Sequence, residues 1–230
     1  MPLEANMTSS PRLLSVNVGT PRTIEWRGQT IATSIFKSPV AGRVAVKGVN
    51  AAGDDQADRR VHGGPDMALY AYATEDYAWW EAQRGRLLGP GYFGDNLTTR
   101  GLDVGGAFVG ERWQIGSARF EVAAPRIPCY KLAMRMDDPA FVKTFARALR
   151  PGAYLRIVDE GDVAAGDAIA VVARPARSVT IARFAEIYFG GGKDAAELLA
   201  LEALPQSWRE WAQEKLAANT AVNRSPLRSA

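Results

Sequence analysis

One cysteine and one histidine occur in the 230 residues, and each stands in a stretch able to do chemistry. Cys129 lies in "EVAAPRIPCYKLAMR", behind Pro128 and between Arg126 and Lys131. Pro128 removes a backbone donor and stiffens the turn, and the two cations can stabilise a thiolate that points their way. A thiolate is both a nucleophile and a soft metal ligand. The same residue also reads as a small buried hydrophobe at the end of a strand. His62 lies in "DDQADRRVHGGPDMALYAY". Arg59 and Arg60 before it offer planar forks for a phosphate or another anion. Gly63 and Gly64 after it let backbone amides approach a ligand without a Cβ in the way. The plain alternative is a surface histidine on a loop that enters a strand. A third stretch, "GPGYFGDNLTT", is a Gly/Pro loop in which Asn96 carries a paired donor and acceptor suited to the edge of a heterocycle, or to an ordinary turn cluster. Lys37, in "SIFKSPV", adds a single cation at a strand end.

Composition narrows the choice. A lone cysteine excludes an intramolecular disulfide framework, and with one histidine most all-protein zinc sites are excluded too. Any metal must therefore arrive ligated largely by something else. No dinucleotide fingerprint, P-loop or readable Ser-His-Asp set is present. The net charge is +3 with its basic residues scattered, so a nucleic-acid footprint is not expected. Hydrophobic residues at 47% and charged residues at 23% describe a globular chain. No apolar run reaches the roughly 18 residues of a membrane span, and "MPLEANMTSSPRLL" lacks the apolar core of a signal peptide, so a cytoplasmic location is expected.

The elements that must position these residues are mostly strands. "RLLSVNVG", "TIEWRGQTIATSIF", "GRVAVKGV" and "MALYAYAT" each read as a strand, and "ERWQIGSARFEVAA" as a hairpin turning at Gly116-Ser117 in the II′ manner. "AYLRIV" and "AIAVVA" flank a Gly/Asp-rich link. Thr74 is expected to cap a helix over "EDYAWWEAQRG", and a second helix is expected from Asp138, with Phe141, Phe145, Ala148 and Leu149 on one face. Beyond "VVARPARS" three short helices follow: one capped by Thr180, one starting near Asp194, and one opened by a Ser207/Glu210 capping box. Short helices hold little core alone, so they are expected to pack on each other and on the β-rich part. Trp208 and Trp211 are expected to face this packing, or to dock a partner or a second subunit of a homodimer.

Four of these stretches, "TSIFKSPVAGRVAV", "DDQADRRVHGGPDMALYAY", "GYFGDNLTT" and "PRIPCYKL", in this order and at these separations, resemble the MOSC domain family, named for the C-terminal domain of molybdenum-cofactor sulfurases. The YiiM-like branch is the nearest in kind, because its members also carry a three-helix extension like 180–217 here. The resemblance spans roughly residues 12 to 217. It implies a mainly β fold with helices: a MOSC-type β-barrel over 12–175, a small three-helix module over 176–220, and flexible termini at 1–11 and 221–230. It implies binding of the molybdenum cofactor, a metal held by the dithiolene of a phosphorylated pterin. The family's cysteine, its proposed molybdenum ligand, maps onto Cys129. The R-x-H-G-G motif maps onto Arg60, His62, Gly63 and Gly64, the Asn-Leu pair onto Asn96 and Leu97, and the arginine of R-x-P-C onto Arg126. Met67 stands where a lysine is common and Asp95 where a glutamate usually precedes the asparagine.

YiiM-like members are associated with reductive detoxification of N-hydroxylated bases such as 6-hydroxylaminopurine. The resemblance therefore implies an oxidoreductase in which Cys129 ligates molybdenum and His62 transfers a proton to the leaving oxygen. Arg59, Arg60 or Arg126, with Lys37, would hold the cofactor phosphate, and Asn96 with the amides of Gly63 and Gly64 would orient the pterin. One cysteine cannot hold an iron–sulfur cluster and no flavin motif is present, so electrons are expected from a separate flavoprotein or other reductase. Two other readings stay open. One is a carrier that passes sulfur or cofactor through a Cys129 persulfide, and the other is a non-catalytic anion- or nucleotide-binding module with a structural cysteine.

Overall fold

The computed structural model describes residues 10–58 and 63–224. Its elements in order are β1 (Arg12–Val18), β2 (Arg22–Trp26), β3 (Gln29–Thr33), β4 (Ser38–Pro39), β5 (Val44–Lys47), β6 (Asn50–Ala51), β7 (Leu69–Ala73), α1 (Thr74–Arg84), β8 (Leu97–Arg100), β9 (Arg112–Ile115) and β10 (Ala118–Pro125). Then come α2 (Tyr130–Met136), α3 (Phe141–Ala148), β11 (Ala153–Asp159), β12 (Gly161–Val163), β13 (Ile169–Ala173), α4 (Ile181–Phe189), α5 (Ala196–Leu199) and α6 (Gln206–Arg224).

The main sheet runs β13-β9-β10-β11-β7-β8-β1-β4 and is antiparallel except at the β7/β8 pair. Backbone bonds from Leu13 N to Asp167 O (2.8 Å), Gly166 N to Leu13 O (2.7 Å) and Ile169 N to Pro11 O (2.9 Å) tie β1 to the segment entering β13. The sheet thus curls into an open barrel: a single bridge at Arg12 and Ala168 brings β1 to the segment before β13, and no continuous ladder closes it among the described residues.

β7, "LYAYA", is buried along its whole length, and its period-two alternation explains how. Leu69, Ala71 and Ala73 face the barrel interior with Leu13, Phe120 and Trp113. Tyr70 and Tyr72 face outward into a second, aromatic core under α1, α2 and α3, with Trp80, Phe93, Phe141 and Phe145. Ile181, Phe184, Leu198 and Ala212 of the C-terminal helices join the barrel core. Trp208 and Trp211 pack with Tyr188 at ring separations of 5.3 Å.

Several expectations hold. Gly116 at φ 55° followed by a serine without positive φ is the II′ turn of the β9/β10 hairpin. Thr180 caps α4 by accepting from Arg183 N at 3.1 Å. Others need correcting. "TIEWRGQTIATSIF" is a hairpin, not one strand, because Arg27 and Gly28 both take positive φ (52° and 74°) and reverse the chain. Thr74 lies within α1, and Ala73 precedes it. Asp138 supports a lead-in turn by accepting from Ala140 N at 3.0 Å, so α3 starts only at Phe141. α5 has four residues and α6 nineteen. α6 starts at Gln206 on bonds to Pro205 O, so Ser207 is already helical and no capping box forms.

Candidate functional site

A solvent-open cleft of about 100 Å³ lies where the loop after β3, residues 55–58 and the β10/α2 junction meet. Lys37, Gly63, Asn96, Arg126 and Cys129 all line it, although they come from four separate parts of the chain. Arg59, Arg60 and His62 lie outside the described residues. Their neighbours Asp58 and Gly63 both face the cleft. Gly64 does not line the cleft; at φ 86° it starts the short turn Pro65–Met67.

Cys129 is half-buried and precedes α2 in an extended conformation, φ −121° and ψ 173°. It thus ends a connection and opens a helix, where a strand end was expected. The helix is also why Lys131 matters: two residues on, it turns its side chain back to the cleft. Lys131 is buried to 9% exposure, and among the described residues its ammonium has no ion-pair or hydrogen-bond partner. The Oγ of Ser34, another lining residue, is buried without a partner.

Arg126 is fixed before any ligand arrives. Its Nη1 donates to Phe93 O at 2.7 Å, and its guanidinium lies 5.1 Å over the Tyr70 ring and 6.0 Å over Phe145. Burial works against this charge, but Tyr70, Tyr154 and Cys129 around it hold its pKa above the ordinary arginine value. In return burial pushes the Tyr154 phenol up while Arg126 pulls it down. Cys129 therefore sits in the field of a fixed guanidinium, with the Lys131 ammonium, unpaired among the described residues, two positions on.

Three expected ligand contacts are otherwise employed. Lys37 Nζ reaches both oxygens of the fully buried Asp54 carboxylate at 2.5 Å. Burial lowers the Lys37 pKa and Asp54 raises it. Its charge is thus committed to the protein. Asn96 lines the cleft, but its side chain donates to Asp54 Oδ2 (2.9 Å) and Asn17 O (3.2 Å) and accepts from Tyr70 N (3.1 Å). Its amide edge is spent on β1, β7 and the loop at Asp54 rather than on a ligand. Leu97 is fully buried in the barrel core, between the ladders to β7 and β1, and offers nothing to the cleft.

Residues not expected from the sequence take their place: Ser34, Gln56, Tyr70 and Tyr154 line the walls, beside Met67, which the sequence had marked as standing where a lysine is common. Gln56 was findable, since it lies in the same stretch as His62; Tyr154 sits on β11, paired opposite Tyr70, and only sheet register reveals it. A Cβ at Gly63 would come within 2.8 Å of Gln56 Oε1, and its φ of 112° already favours glycine.

The MOSC domain family model matches residues 58–170, and the model of the YiiM-like 3-alpha helix domain matches residues 179–219. The uncharacterized protein YflK of Bacillus subtilis is 34% identical over 203 residues, 86% of this chain and 90% of that protein. The crystal structure of YiiM from Geobacillus stearothermophilus superposes with a TM-score of 0.75 at 32% identity, covering 90% of this chain and 99% of that one. A protein named "Reductase" from Gibberella moniliformis is 30% identical over 152 residues, 64% of this chain but 27% of that longer protein.

Proposed function

The chain belongs to the MOSC domain family, in its YiiM-like branch, and from that premise we propose that its cleft binds the molybdenum cofactor and that the protein reduces N-hydroxylated compounds such as 6-hydroxylaminopurine. The observation that carries this reading is Cys129 on the cleft wall in the company of Arg126 and Lys131. The cleft also fits such a group in what it leaves unsatisfied. Among the described residues, the Lys131 ammonium has no counter-ion and the buried Ser34 hydroxyl has no partner, and both border the cleft.

When bound, the cofactor would supply the two-electron redox chemistry by which an N–OH group, with two protons, is reduced to N–H and water. Cys129 would present its sulfur as the soft protein ligand, kept as thiolate by the fixed Arg126. Lys131 would meet an anionic group of the cofactor or substrate, the part first expected of Lys37. Ser34 Oγ and the backbone beside Gly63 would orient the pterin, and Ile35, Met67, Tyr70 and Tyr154 would hold water off one side of it. His62 would carry the proton to the leaving oxygen, and Arg59 and Arg60 would offer further guanidinium donors to an anionic group of the ligand. Electrons would come from a separate flavoprotein reductase. The name of the longer Gibberella relative supports a reductive role, since its matched part is about a quarter of a protein called a reductase.

Molybdenum analysis of protein co-expressed with an intact cofactor pathway, for wild type and Cys129→Ala, tests the reading directly. Near-stoichiometric metal that disappears in the variant is expected, together with anaerobic reduction of 6-hydroxylaminopurine once a flavoprotein reductase is added. Wild-type protein without molybdenum, or a Cys129→Ala variant as active as wild type, would overturn it.

A further inference from the structure

Close to the cleft, three arginines are held by aromatic rings instead of acids. Arg22 lies 3.5 Å over the Phe36 ring, and Arg135 lies 4.6 Å from the same ring and 3.9 Å from that of Tyr92. Arg86 is 5.5 Å over Tyr92 in turn. Cations and rings therefore alternate, Arg22–Phe36–Arg135–Tyr92–Arg86. Tyr92 is also the clasp: its carbonyl accepts from Arg135 Nε (3.2 Å), its hydroxyl accepts from Arg86 Nη2 (2.9 Å) and donates to Arg135 O (3.2 Å).

Among the described residues none of the three arginines makes an ion pair. Asp138 is taken by Arg84 at 2.8 Å, and Asp137 borders the same groove as Arg86 without pairing with it. Arg135 is half-buried and Arg22 and Arg86 are exposed. Burial, and the charges of Arg22 and Arg86, lower the Arg135 pKa, with Tyr92 opposing them. Like charges gathered this closely repel unless an anion joins them, and the Arg135 Nη groups have no acceptor among the described residues.

The cluster is joined to the cleft through α2. Lys131 and Arg135 are four residues apart on that helix, hence on one face and about 6 Å apart along its axis. Ile35 and Lys37, on either side of Phe36, line the cleft. We propose that Arg22, Arg86 and Arg135 form a phosphate-binding subsite one helical turn from the cleft, taking the phosphate monoester of the ligand that occupies it. Two sources carry this chemistry: the phosphate of the cofactor, or the 5′-phosphate of a nucleotide substrate. The first rests on the function proposed above, and the second would make that substrate an N-hydroxylated nucleotide rather than a free base.

Calorimetric titration with adenosine 5′-phosphate and with adenosine, alongside molybdenum analysis, on wild type and Arg22→Gln/Arg86→Gln tests the subsite without turnover. Both substituted side chains are exposed, so the double variant should fold, and circular dichroism checks that it does. A preference of about tenfold or more for the phosphorylated ligand that vanishes in the double variant, with metal content unchanged, assigns the subsite to a nucleotide. Metal lost in the double variant assigns it to the phosphate of the cofactor. If neither the preference nor the metal content changes, the proposal fails. Wild-type protein lacking molybdenum but showing the arginine-dependent preference would sink the reductase reading and leave the subsite standing.

Discussion

At the scale of single residues, the cleft is built by one buried ion pair that is not itself chemistry. Asp54 accepts from Gly19 N at 2.8 Å, from Lys37 and from Asn96, and so holds the loop after β3 against β1 and β8. Removing one partner of such a pair strands the other charge in a low-dielectric site. Lys37→Met is expected to cost about 3–5 kcal/mol in urea unfolding. A loss below about 1 kcal/mol would mean that the pair is far better hydrated than its exposures of 8% and 0% imply. Arg126 is bound in a comparable way to Phe93 O, which frees it to act as a fixed charge beside Cys129 rather than as a mobile phosphate ligand.

At the scale of elements, the helix α2 is what converts the R-x-P-C stretch into a site. It places Cys129 at its start, Lys131 on the cleft and Arg135 on the arginine cluster, three consequences of one helical period. Periodicity did not announce it, because seven residues with Lys131, Leu132, Ala133, Met134 and Met136 all buried leave no polar face to recognise. The β2/β3 hairpin was hidden for a different reason. Its turn uses Arg27 at φ 52°, a conformation that costs an ordinary side chain about 1–2 kcal/mol and that sequence patterns assign to Asn or Gly. Arg27→Asn is therefore expected to raise the unfolding free energy by about 0.5–1 kcal/mol, measured by chemical denaturation. A neutral or destabilising result would show that the arginine's stacking 5.7 Å over Trp26 outweighs the backbone term.

At the scale of the whole molecule, the C-terminal helices are part of the barrel's stability. Phe184 is fully buried in the same core as Trp113 and Phe120, and stacks edge-on to Trp208 at 5.0 Å. Phe184→Ala is expected to cost about 3–5 kcal/mol and to lower the melting of barrel and helices together, in one transition by calorimetry. Two separated transitions, with the barrel unmoved, would show instead that the helices fold as an independent unit. The same continuity explains why Trp208 and Trp211 are only half-exposed: they cover Phe184 and Tyr188 from the solvent side.

The sequence by itself determined that the chain is strand-rich with a helical end, and it singled out the stretches around Cys129, His62 and the glycines as those able to do chemistry. Those properties are local, carried by alternation, by turn residues and by rare residue types in motif spacing. Only the tertiary structure decided which polar side chains remain available. Asn96 is paired with Asp54 across 42 positions of chain, Tyr154 meets the cleft through its register opposite Tyr70, and Lys37 is neutralised by Asp54. A buried donor or charge must be satisfied by whatever the fold brings beside it, and no local pattern records that partner. The groups left for a ligand among the described residues are therefore those, like Lys131, Ser34 Oγ and the ring-held arginines, that the fold brings together without a carboxylate partner.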